Sequence, residues 1–543
     1  MNNNRIQINI LHGKREGNVF LRGTLFDGPQ KLDFSESAKR MALLPKEDAG
    51  ELLSRTNGFF SAVSSDGRSG WMAVDRLRTM PLFYGTRNDT LFISDSARWV
   101  LEKIEEREMD PIARQEFLLT GYVTGPDTLF SRVKQVQAGE LVRFRADDDG
   151  SIVLEPQRYF RYLHHDYLRE DEASLRKRLD DMLLPTFRRM LEYVAGRTIV
   201  VPLSGGYDSR LIVLMLKRME YENVVAFSYG RPGNQEAETS KQVAEQLGIR
   251  WEFVPYSDEE WYQWYRSPEM QAYFEYADGL CSLPHIQDWP AVMALKREGR
   301  IPEDSVFVPG HSADLPAGSR SKTFPDLYRG ENDPETLVSA ITRYHYSLFA
   351  YKEGDRSPFS ARERILKVLG DPAQYPDAAS AFESWDITER QPKFIVNSLR
   401  VYEHWGYAWW IPFWDTEFMA YWQRIPPERR LNQNLYIGYV NDLAKEMGVA
   451  VEEKVPPRPS FKKTPFVVGI KTALRITLRT LLLAHLYVNR LRKHDHLSLW
   501  GCFTNQWIAA IFNKQQQSIN GAFALSRIIL LDEELNSATK NKR

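Results

Sequence analysis

The stretch "TIVVPLSGGYDSRLIVLMLKRM", residues 198–219, most constrains what this chain can fold into. A short β-branched run ends in paired glycines; an aspartate, a serine and a helix-spaced apolar pattern follow. An uninterrupted apolar run of this length, closed by a turn, reads as a strand buried on both faces. The alternation continues downstream. "NVVAFSYG" leads to the helical "EAETSKQVAEQLG", whose final Gly248 suits a C-cap, and "RWEFVPY" and "SVFVPG" (305–310) supply further strands. Strands separated by helices of this length predict βαβ units and a parallel sheet.

Upstream the period is different. As far as about Phe160 the chain shows short alternating strands broken by turns: "GFFSAVSSDG", "GWMAV", "PLFYG", "TLFISD" and "GELVRFRADDDG". They predict a β-rich first domain. Around "RYLHHDYLREDEASLRKRL" the period turns helical and charge rises as in a linker helix. The last third is aromatic-rich and helical in pattern, without internal repeats. With 543 residues the chain exceeds what one core supports, and 43% apolar composition is enough for several. Expected boundaries are 1–160, 161–470 and a helical extension at 471–543.

Lys and Arg (71) nearly balance Asp and Glu (72), so a global basic field for nucleic acid is absent and no nucleic-acid partner is expected. Cys281 and Cys502 lie far apart, outside any CxxC spacing. That argues against a disulfide framework or zinc cage and fits a reducing, cytoplasmic setting. The opening "MNNNRIQINILHGKREG" lacks the charged and apolar blocks of a secretory signal. "GIKTALRITLRTLLLAHLYVNRLRK" (469–493) carries Arg475 and Arg479 within its apolar run. It reads as an amphipathic helix packed on its own domain, with a membrane-surface role as the alternative and no stable insertion.

After Leu203, the residues Ser204, Gly205 and Gly206 can turn tightly and aim successive backbone N–H groups at one point. The following helix adds its positive end. With the hydroxyls of Ser204 and Ser209 this forms a nest suited to a phosphate chain, and Asp208 stands where a carboxylate holds Mg²⁺ against phosphates. A bare SGG would be only a capped strand–helix turn. The Asp and Ser at fixed offsets, inside a βα repeat, favour phosphate binding. The GxxxxGK[ST] spacing of a Walker loop is missing.

This turn resembles the SGGxDS loop of the ATP pyrophosphatase fold, and more narrowly that of the asparagine synthetase family. "DRLRTMPLFYG", "LFISDSARWV", "DPIARQEFLLTGYVTGPDTLFSRVKQVQAGELVRF", the helix "QEAETSKQVAEQLG" with its Glu236, and "WWIPFWDTEFMAYWQRIPPERRLN" are similar to segments of that family in the same order. The resemblance implies an α/β chain. An N-terminal, β-rich, amidotransferase-like (Ntn-type) sandwich would precede a parallel-sheet ATP pyrophosphatase domain with a helical C-terminal part. It implies ATP and Mg²⁺ as cofactors, transfer of AMP to a carboxylate with release of pyrophosphate, and attack on the activated acyl group by ammonia or an amine. It places Leu203, Ser204, Gly205, Gly206, Asp208, Ser209, Ser228 and Gly310 at the nucleotide.

"HSADLPAG", after Gly310, is similar to the family's SGxGADE loop and keeps Asp314, which in the family faces the aspartate of SGGxDS across Mg²⁺. The family's acid–base position holds His311, where asparagine synthetases carry Glu and β-lactam-forming relatives Tyr. This histidine either accepts a proton from the attacking amine or only hydrogen-bonds. Pro309 replaces the loop's serine and removes a donor. Charge on the departing pyrophosphate needs a cation, and "SFKKTPFVVG" supplies Lys463 at the family's position, with Lys462 its rival.

Glutamine-dependent members place a cysteine directly after the initiator methionine, and here that position is Asn2. The resemblance therefore implies a first domain that keeps its fold without hydrolysing glutamine, as in β-lactam synthetases and peptide-cyclising relatives. Nitrogen would come from ammonia, a substrate amine or a separate ammonia-supplying partner; a homodimer is left open. In "EHWGYAWWIPFW" (403–414), Ala408 and Trp410 stand where synthetases carry acidic and basic residues. These aromatics are either core or the lining of a pocket for a bulkier, less charged substrate than aspartate. Asp278 is expected at the same cavity. A non-catalytic ATP-binding scaffold is the alternative, motivated by His311, Pro309 and the missing cysteine. An RNA-modifying enzyme would need the basic surface that the balanced charge withholds.

Overall fold

The structure, a computed structural model, describes residues 5–43, 49–330, 333–351, 354, 358–371, 374–450, 488–489, 491–512 and 518–540. Its first part sets a seven-stranded sheet against a four-stranded one. The strands Val19–Asp27, Asn57–Ser65, Ser69–Val74 and Glu140–Ala146 pair antiparallel, with Val63 opposite Met72 and Met72 opposite Val142. Side chains alternate between faces along each strand. Val63, Met72, Val142 and Phe144 meet Ile6, Leu91 and Ile93 of the smaller sheet, while Ala62, Ala73 and Leu141 face Met41 and Leu53 of the helices Phe34–Ala42 and Ala49–Arg55. The helix Ala97–Ile104 covers the outer face of the smaller sheet. The result is a helix-covered sandwich.

These helices are an addition to the strand-only reading of the first 160 residues. Start signals are present in the sequence: Asp33 and Glu36 form a reciprocal capping box, and Ser96 and Asp110 cap the helices Ala97–Ile104 and Pro111–Thr120. The linker departs from expectation in the other direction. Residues 161–170 are not helical, and the helix Glu172–Val194 starts only after its cap, Asp171. Tertiary contacts claim the preceding segment. His164 Nε2 lies 2.8 Å from Glu383 Oε2, and the Leu168 amide donates to the Arg424 carbonyl at 2.8 Å.

The second part is built on a five-stranded parallel sheet in the spatial order Arg250–Pro255, Val224–Gly230, Ile199–Pro202, Val306–Phe307, Ala408–Trp409. The earliest strand in sequence lies in the middle. The next two extend to one side and the last two to the other, so the order reverses between Ile199–Pro202 and Val306–Phe307. Loops leaving the carboxyl ends of strands on either side of such a reversal open a crevice between them. The strand expected over 305–310 is only Val306–Phe307, because Pro309 cannot donate to a ladder, although the Val308 amide still reaches the Val200 carbonyl at 2.9 Å.

Helices Pro334–His345, Ala361–Leu369 and Ala378–Thr388 bury a second core around Ile341, Ile365, Phe382 and Trp385. The helix Ile519–Lys540 returns to lie on the first part against the helix Pro111–Thr120, with ion pairs Arg98–Glu534 and Arg114–Asp532, each 3.1 Å. Most of the expected basic helix, residues 469–487, lies outside the described residues. Among the described residues no helix is long and apolar enough to cross a membrane.

The aromatic run at 403–414 joins the two parts. Trp410 packs on Phe59 at 4.7 Å and Tyr193 at 4.5 Å, and Trp409 on Phe59 at 5.7 Å, between ring centroids. Beside them Arg189 binds Asp415 through both carboxylate oxygens, and the Asn57 side-chain amide donates to the same carboxylate at 2.9 Å. Trp410 is therefore core between the parts, which settles the two sequence alternatives for this residue in favour of packing.

Candidate active site

The strand Ile199–Pro202 ends on Leu203, whose amide still bonds to the Phe227 carbonyl at 2.9 Å. The chain then turns through Ser204, Gly205 and Gly206 into the helix Tyr207–Arg218. Gly206 occupies the N-cap position without a side-chain hydrogen bond, so the first helical N–H groups carry no side-chain cap. The Ser204 amide donates to Ser209 Oγ at 3.1 Å and the Gly206 amide to Ser204 Oγ at 3.2 Å, which folds the turn around its two hydroxyls. Ser204 and Gly206 are exposed. Ser228 lies beneath the turn, its hydroxyl donating to the Leu203 carbonyl and sharing a second hydrogen bond with the Ser240 hydroxyl. The bond to Leu203 ties the strand exit to the neighbouring strand Val224–Gly230.

From the neighbouring strand, the loop 308–314 descends onto the same turn. Gly310 is required by closeness: a β-carbon there would stand 2.7 Å from the Ser209 nitrogen and 2.9 Å from Asp208 Cβ. This contact brings Asp208 and Asp314 together, the Asp314 amide donating to Asp208 Oδ2 at 3.2 Å. Tyr436 donates to the other oxygen, Oδ1, at 2.9 Å. Burial, and next the charge of Asp314, push the Asp208 carboxyl well above the usual carboxylate range. Two acidic groups forced together at a crevice form a place for a cation. No group of three or more His, Cys, Asp or Glu fit for a metal exists among the described residues. A hard cation here would draw its remaining oxygens from phosphate and water, a donor set that suits Mg²⁺.

His311 stands beside this pair, its Nε2 2.7 Å from Ser398 Oγ. Burial, and next the proximity of His285, lower its pKa to about 4, so it is neutral at physiological pH. The two strand exits open on a cleft of about 450 Å³ that also admits His285, Asp288, Tyr402 and Gln433. Tyr402 donates to Asp288 Oδ2 at 2.8 Å, and the Gln433 side-chain amide reaches the Asp314 carbonyl at 3.4 Å. Sequence reasoning missed Tyr436, Ser398 and this second group, which come from distant helices and loops without a local spacing signal. The His285–Asp288 pair, i and i+3 in "PHIQD", was the one legible clue.

Lys463, like Lys462, lies outside the described residues. Asp278 departs from expectation: it does not line the cleft but sits under Arg98 and Arg527, at 3.1 and 2.7 Å. Those guanidiniums hold it at the junction of the two parts.

Comparison with known proteins agrees with this architecture. Residues 179–527 match the Asparagine synthase family, and residues 42–159 match the Glutamine amidotransferase domain. The chain is 27% identical over 179 residues to asparagine synthetase (glutamine-hydrolyzing) 1 of Bacillus subtilis (strain 168), covering 33% of this chain and 27% of that protein. The aligned stretch thus spans little more than a quarter of that relative. Among solved structures, the NH3-dependent NAD synthetase from Campylobacter jejuni is 14% identical over 28% of this chain and 61% of that one, with a TM-score of 0.19. A glutamine phosphoribosylpyrophosphate amidotransferase from B. subtilis is 11% identical over 50% of this chain and 74% of that one, with a TM-score of 0.20. Both superpositions are too loose to bear on function. The family match covers well over half of the sequence, and the chain belongs to the asparagine synthase family.

Proposed function

We propose that this chain is an ATP-dependent, AMP-forming carbon–nitrogen ligase. It activates a carboxylate as its adenylate with release of pyrophosphate, then passes the acyl group to ammonia or an amine. The convergence of Asp208 and Asp314 at the uncapped helix start carries this reading. The start of the helix Tyr207–Arg218, which has no side-chain cap, offers its positive end to phosphate oxygens. Asp208, oriented by Tyr436, and Asp314 hold Mg²⁺, which supplies charge neutralisation on the phosphates. His311, neutral at physiological pH and 2.7 Å from Ser398 Oγ, is placed to hydrogen-bond the incoming amine. Both cysteines, Cys281 and Cys502, belong to the second part of the chain, which supports nitrogen delivery as ammonia or amine rather than by a thiol of the first domain.

The test is AMP and pyrophosphate formation across a panel of carboxylates, with ammonia or amines as acceptors. Asp208→Asn is expected to reduce AMP formation by about a hundredfold or more. No pyrophosphate from any carboxylate, together with no binding of Mg·ATP, would overturn the proposal and leave a scaffold that keeps the fold.

A further inference from the structure

We propose that a small, partly open cavity between the first domain and the segment 275–282 binds a compact oxyanion, carboxylate or inorganic, on the guanidinium of Arg78. This cavity is distinct from the cleft of the strand exits, and the inference does not rest on the ligase reading. It offers about 80 Å³, room for a few atoms beyond a single water.

Four arginines line it, and three are matched by carboxylates. Arg22 and Arg400 each stand 2.8 Å from Glu403, and Arg98 is 3.1 Å from Asp278. The buried acids of the wall are engaged too: Asp95 accepts from the backbone of Leu11 and His12 and pairs with the His12 ring, and Asp278 also takes Arg527. Arg78 is the remainder. It is 3% exposed and makes no ion pair among the described residues. Its guanidinium donates to Cys281 Sγ at 3.6 Å and stands 5.5 Å from the centre of the Phe83 ring, neither contact supplying a negative charge. Its Nε has no partner, and neither do those of Arg98 and Arg400 in the same wall.

A guanidinium cannot shed its proton, so burying one without a counter-charge is unfavourable. The backbone also adopts a left-handed conformation at Arg78, φ 54°, unusual for a residue with a β-carbon. A small anion in the cavity would answer the unmatched charge, and the planar fork of Arg78 suits a carboxylate or a comparable oxyanion.

The experiment is calorimetric titration of the full chain with sulfate, formate and acetate, against chloride at equal ionic strength. Saturable binding of at least one probe is expected in the wild type, weakened tenfold or more by Arg78→Met and less by Arg78→Lys. Asp208→Asn should leave it unchanged, separating this site from the nucleotide cleft. Absence of saturable binding of all three probes to the wild type would overturn the inference, as would equal binding by Arg78→Met. Should Arg78→Met fail to fold, the wild-type titration and Arg78→Lys still decide.

Discussion

Asp208 is held where its charge is opposed by both burial and Asp314. Such an arrangement strains the cation-free protein, as expected of groups placed for ligands rather than for stability. Asp208→Asn should therefore raise the thermal stability of the Mg²⁺-free chain, by about 1 kcal/mol. Added Mg·ATP should stabilise the wild type and not the variant; the opposite order in thermal denaturation would reject the paired-carboxylate site. Histidines set a second expectation. Burial lowers His311 to about 4 and His345 to about 3, against about 6.5 in an unfolded chain. Between those values the unfolded chain binds more protons, so stability falls as pH drops from about 6.5 towards 4 and is unaffected above that window. The slope is up to about 1.4 kcal/mol per pH unit for each histidine. Urea midpoints between pH 7 and 5 measure it, and His345→Gln should flatten it. At this scale Asp208 was legible from its place just after the glycine turn, and Asp314 and His311 from the resemblance of "GHSADLPAG" to a family loop. Tyr436 and Ser398 were not, because only the folded chain brings their helices to the site.

The loop 308–314 works as an element because Gly310 lets it rest on the turn beneath. Gly310→Ala would drive a methyl group into Ser209 and Asp208. The expected result is a loss of about 1–3 kcal/mol in stability and markedly weaker Mg·ATP binding, read by urea unfolding and calorimetry. Unchanged affinity would mean that the two loops are independent. The parallel strands and the helix ending at Gly248, whose φ is 68°, followed from their apolar runs and cap. The fifth strand, Ala408–Trp409, could not be seen, because a two-residue strand inside an aromatic run has no period of its own. The short helices of the first part were masked by the stronger strand alternation around them, despite their caps.

Across the whole molecule, Trp410 and the Arg189–Asp415 pair fasten the sandwich to the parallel-sheet part. Trp410→Ala should cost about 3–5 kcal/mol and split one calorimetric transition into two, as the sandwich loosens before the rest. A single transition at an unchanged temperature would show that this contact is not what couples them. The order of the two parts was readable from the change of period near residue 160; their mode of attachment was not, because it depends on pairs far apart in sequence. The helix Ile519–Lys540 presents the extreme case, with Arg98 and Glu534 separated by 436 positions. A ribosome that has made Arg98 must add 436 further positions before that clasp can shut. Until then the nascent sandwich carries a bare flank along Pro111–Thr120, and the interval between its own folding and the arrival of its cover is when it is most open to chaperones and to misassembly.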